Sequence, residues 1–101
     1  MINKITIIGV GLIGGSLAKA IKENNLAKVV FGFGRDLNRL EEAQKANVID
    51  QFSTNLKDAI NNSDIVIIAT PVGSFQEILS EIKPFLTSKI VISDVGSTKT
   101  N

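Results

Sequence analysis

The 101-residue sequence contains no cysteine, histidine, tryptophan or tyrosine. Without cysteine there is no disulfide and no thiolate metal site. Without histidine there is no imidazole, the usual general base near neutral pH. No metal site is expected. A net charge of +1 gives neither the basic field that nucleic acid requires nor an acidic tail, so no nucleic-acid partner is expected. No apolar run approaches the ~20 residues of a membrane span. Met1-Ile2-Asn3-Lys4 runs directly into an aliphatic segment and leaves no room for a signal peptide. No membrane partner is therefore expected, and the cytoplasm is the expected compartment. With 44% hydrophobic and 21% charged residues, the chain has the composition of one globular domain with a core.

What is present is a regular alternation. Aliphatic runs at Lys4–Ile8, Lys28–Phe33, Asp64–Ala69 and Lys89–Asp94, with a weaker one at Val48–Phe52, read as strands. They are apolar almost throughout, as parallel strands covered on both faces are. Between them lie helical stripes: Ile13, Leu17 and Ile21; Leu37, Leu40 and Ala43; Leu56, Ala59 and Ile60. The clearest stripe is Phe75, Ile78, Leu79, Ile82 and Leu86, opened by a capping box, Ser74-Phe75-Gln76-Glu77, with the helix expected to end or kink at Pro84. The order β-α-β-α-β-α-β-α-β predicts an α/β fold with a doubly wound parallel sheet of five strands.

The first strand runs into Gly9-Val10-Gly11-Leu12-Ile13-Gly14, a GxGxxG sequence between a strand and a helix. In that setting Gly9 permits a tight turn, Gly11 lets a pyrophosphate approach the backbone, and Gly14 lets the helix pack close. The helix start, with Leu12 and Ile13, offers unpaired N–H groups to phosphate oxygens. A dinucleotide is the expected ligand.

The end of the second strand selects the cofactor. NAD binders place an acid about 20 residues after the glycine motif, on the ribose 2′-hydroxyl. Here Gly34 stands 20 residues beyond Gly14. A glycine leaves room for a 2′-phosphate, and Arg35 supplies a planar, permanently charged fork suited to it. NADP is favoured, with NAD as the alternative if Asp36 reaches the ribose. Asp36 is equally suited to cap the helix that begins at Leu37. Arg39 either assists at the phosphate or is a surface charge of that helix.

Two further strand ends complete the candidate site. Ala69-Thr70-Pro71-Val72 follows the fourth strand, where Thr70, Pro71 and Val72 would pass over the ribose side of the cofactor. Asp94-Val95-Gly96-Ser97-Thr98-Lys99 follows the fifth, where the nicotinamide would lie. The Ser97 hydroxyl can bond a substrate or a base there, or serve only a turn. Lys99 reads as a structural or solvated lysine.

Taken together, Ile8 to Leu17, Ala69 to Val72 and Asp94 to Lys99 resemble the three motifs of the prephenate, arogenate and cyclohexadienyl dehydrogenase family. The last motif is the most specific, and the spacings match throughout. The resemblance implies a Rossmann-type domain of an NADP- or NAD-dependent enzyme that oxidatively decarboxylates prephenate or arogenate in tyrosine biosynthesis. It implies that Ser97 neighbours a catalytic histidine. It also implies that this histidine, a sixth strand and a helical domain carrying substrate contacts and the homodimer interface lie beyond Asn101. The 101 residues are thus expected to be the cofactor-binding front portion of a longer enzyme; the alternatives are another β-hydroxyacid-type dehydrogenase or imine reductase, or a non-catalytic dinucleotide-binding module.

Overall fold

The computed structural model describes residues 2–9, 12–69, 75–86 and 90–94, with the backbone alone at 12–14, 75–76 and 93–94. Five strands, β1 (Ile2–Ile8), β2 (Ala27–Phe33), β3 (Gln51–Ser53), β4 (Ile65–Ile68) and β5 (Val91–Asp94), form one sheet. Four helices connect them: α1 (Leu12–Glu23), α2 (Leu37–Lys45), α3 (Leu56–Ile60) and α4 (Phe75–Ile82). All pairings are parallel and the order is β3-β2-β1-β4-β5. The doubly wound expectation is met, with the strand order reversing between β1 and β4.

Each face of the sheet carries its own core. On one, Ile5, Ile7 and Val30 meet Ala18 and Ile21 of α1, Leu40 of α2, and Ile49. On the other, Ile8, Phe31, Phe33, Val66 and Ile68 meet Ala59 and Ile60 of α3 and Ile78 and Ile82 of α4. Each buried Ile, Val or Phe removes enough apolar surface from water to stabilise the fold by roughly 1.5–3 kcal/mol before entropy is counted. Alternate residues of β1 and β2 serve opposite faces, which explains why their sequences lack a polar face. Thr6 is the polar exception. It is fully buried, and its hydroxyl donates to the Ala59 carbonyl at 2.7 Å while Ser63 closes the triangle. That carbonyl belongs to the last turn of a five-residue helix, where no intrahelical donor is available.

Two expectations are corrected. The third strand is Gln51–Ser53 rather than Val48–Phe52. Val48 and Ile49 instead follow the end of α2, with the Val48 N–H bonding the Ala43 carbonyl at 2.9 Å and the Ile49 side chain entering the core. Leu37 does not join the apolar stripe of α2: it is 49% exposed at the helix start. The break expected at Pro84 is found, so the stripe does not run on as one helix to Leu86. Helix α4 gives way to a 3-10 turn at Lys83–Phe85, with Pro84 inside it. Ser74 of the capping box lies outside the described residues.

Three asparagines make the returns from helix to strand. Asn25 and Asn47 have φ of 53° and 63°. Each is the left-handed residue of a Schellman motif, with Leu26 N–H to Ile21 O and Val48 N–H to Ala43 O as the closing bonds. Asn62, at φ 64°, is the third residue of a type II turn closed by Ser63 N–H to Ile60 O at 3.0 Å. Asparagine tolerates this region better than other residues with a side chain. The left-handed conformation costs an ordinary residue roughly 1–2 kcal/mol. Asn25→Ala is therefore expected to lower unfolding free energy by about 1 kcal/mol, and Asn25→Gly to leave it unchanged or raised, in urea titrations.

The far end of α1 is tied down by charge. Lys22 Nζ lies 2.6 Å from Asp50 Oδ1 and 2.9 Å from Asn47 Oδ1, and the other Asp50 oxygen accepts the Val30 N–H at 2.9 Å. Partial burial works to raise the Asp50 pKa. The Lys22 hydrogen bond, the Val30 N–H and the Lys22 charge outweigh it and hold the carboxyl below its usual 3.8. A carboxylate depressed on folding adds stability above its unfolded pKa, and that stability is lost as pH falls through the folded value. Acid unfolding curves are expected to show this loss below about pH 3.8, with a shallower dependence in Asp50→Asn.

Candidate functional site

The register sets all five strand ends at one level. Ser53 pairs with Phe33, Phe33 with Ile8, Ile8 with Ile68, and Ile68 with Asp94. The carboxyl ends of β1 and β4 stand side by side where the chain reverses direction across the sheet. In an open α/β sheet, helices leaving to opposite faces at this point open a crevice, and ligands bind there.

The glycine turn sits at that crevice. Gly9 has a φ of 89°, a conformation that excludes most side chains, and its N–H donates to the Phe33 carbonyl at 2.9 Å. On the other side, Ala69 N–H donates to the Ile8 carbonyl at 2.9 Å. The turn is thus fastened to the ends of both neighbouring strands. Leu12, Ile13 and Gly14 form the first turn of α1, as the motif requires. Gly11 lies outside the described residues.

The bond from Gly9 to Phe33 brings the Gly34-Arg35-Asp36 loop alongside the glycine turn. Gly34 follows β2 directly, and its φ lies outside the left-handed region. A Cβ placed on it would meet only Leu40, at an ordinary 3.6 Å. Neither backbone strain nor packing requires glycine at this position. Arg35 is exposed beside it.

Asp36 is the N-cap of α2. Its Oδ1 accepts the N–H groups of Asn38 and Arg39 at 3.1 and 3.4 Å. Its Oδ2 lies 3.6 Å from Arg39 Nε. Of the two roles open to Asp36, the structure displays the cap. The link to Arg39 was not foreseen, although the i,i+3 spacing was its signal. Thr70, Pro71, Val72, Ser97 and Lys99 lie outside the described residues.

Two other features do not belong to a site. A depression of about 250 Å³ is lined by Lys19, Lys22, Glu23, Ala46 and Asn47. It lies at the carboxyl ends of α1 and α2, away from the crevice, and Lys22 is already engaged by Asp50 and Asn47. At the amino edge of the sheet, Lys4 Nζ bonds the Asn61 carbonyl at 2.7 Å and lies 4.3 Å from the Phe31 ring centre. Burial lowers its pKa, opposed by the charge of Asp58. These contacts anchor the end of α3. Among the described residues no cluster is placed to hold a metal ion, and no helix is long and apolar enough to cross a membrane.

A parallel sheet of order 3-2-1-4-5, with a positive-φ glycine turn at its reversal point, defines a Rossmann-type nucleotide-binding domain. The sequence agrees with a particular family of such domains. Residues 17–101 match the model of the family described as prephenate dehydrogenase, nucleotide-binding domain, and the chain belongs to that family. It is 37% identical over 100 residues to the prephenate dehydrogenase of Bacillus subtilis, covering 98% of this chain and 27% of that protein. Among solved structures it resembles the arogenate dehydrogenase of Synechocystis, with a TM-score of 0.86 and 28% identity over 96% of this chain and 34% of that one. It also resembles the prephenate dehydrogenase of Aquifex aeolicus, solved with hydroxyphenyl propionate and NAD+, with a TM-score of 0.85 and 25% identity over 93% of this chain and 33% of that one. The chain therefore spans about a quarter to a third of the length of these relatives.

The unforced glycine beside the turn gives a direct test. Gly34→Ala is expected to raise stability by about 0.4–1 kcal/mol, because alanine restricts the unfolded chain at a position it can occupy without strain. Thermal melts monitored by circular dichroism would measure it. A loss of stability would mean that the backbone itself requires the glycine.

Proposed function

We propose that this chain is the cofactor-binding domain of a dehydrogenase that oxidatively decarboxylates prephenate or arogenate, with NADP favoured over NAD. The observation that carries the reading is the family match over residues 17–101, joined to a glycine turn fastened at the β1/β4 reversal. The relatives named above act on one or the other of these two substrates by name.

In this reading Gly9 and Gly11 bring the backbone close to the pyrophosphate, and the first turn of α1, at Leu12, Ile13 and Gly14, presents N–H groups to it. Gly34 leaves the space and Arg35 the charge for a 2′-phosphate. Asp36 shapes the same loop by capping α2. Thr70, Pro71 and Val72 border the ribose. Ser97 forms a hydrogen bond at the substrate hydroxyl, next to a histidine that the complete enzyme supplies. A nicotinamide bound there would supply the hydride acceptor for the substrate ring. These 101 residues contain no histidine, and a serine hydroxyl has far too high a pKa to act as the base. Substrate contacts and the homodimer interface belong to the further chain that the relatives possess.

Charge-assisted hydrogen bonds of the kind Arg35 would form are worth roughly 1.5–3 kcal/mol. Arg35→Ala is therefore expected to weaken NADP binding by about one to two orders of magnitude and leave NAD nearly unchanged, as read by titration calorimetry. The purified chain is expected to bind the dinucleotide without reducing it in the presence of either substrate. Equal losses for both cofactors would overturn the assignment of Arg35. Steady turnover would overturn the assignment of Ser97 as partner to a histidine elsewhere.

A further inference from the structure

We draw no further inference here: the strongest candidate, the open edge of the sheet along β5 with Val91 exposed, is where the sixth strand of a Rossmann-type sheet pairs and so restates an established property of the fold.

Discussion

The central placement of β1, paired in parallel with β2 on one side and β4 on the other, is the constraint on which the rest of this domain depends. Crossovers between parallel strands are right-handed. A chain that leaves β1 to build outward through β2 and β3 lays α1 and α2 on one face. When it returns to pair β4 beside β1 and continues to β5, α4 falls on the other face. The crevice between the two directions is therefore a product of connectivity. The two bonds that continue the ladder past β1, from Gly9 to Phe33 and from Ala69 to Ile8, fix the turn before the first helix begins. The position of the glycine turn is thus set by the backbone of the sheet more than by any one side chain.

Much of this architecture was legible from local pattern, because parallel strands and amphipathic helices each impose a period on the residues that build them. The weakest strand was misplaced for a physical reason. Val48 and Ile49 are β-branched and apolar, yet their N–H groups face the Ala43 carbonyl and Ile49 fills the core under α2. Burial at a helix exit and burial in a strand look alike in a short apolar run. Leu37 satisfied a helical spacing but occupies the opening position of α2, at the crevice side of the sheet, where the core does not reach. The left-handed asparagines carried no periodic signal.

At the candidate site, spacing from the glycine motif located Gly34 and Arg35. That spacing measures the length of one helix and one strand, which the fold holds nearly constant. It could not display the double engagement of Asp36, because one oxygen turns to the backbone and the other to a side chain three residues on. Nor could it show that Gly34 is free of steric demand, since that depends on where Leu40 sits. The composition was most informative about chemistry through what it omitted. A chain with no histidine can supply location and charge to a reaction without supplying the proton acceptor.

The tie between Lys22 and Asp50 has a mechanical side. Helix α1 has 12 residues, and at 1.5 Å per residue it is about 18 Å long. The glycine turn is at one end and the ion pair at the other. A rigid rod of that length turns a small tilt at its foot into a large sweep at its head. A rotation of about 5° would carry a tip ~18 Å away by roughly 1.5 Å. Asp50 touches no part of the crevice, yet it holds the far end of the helix that the glycine turn begins.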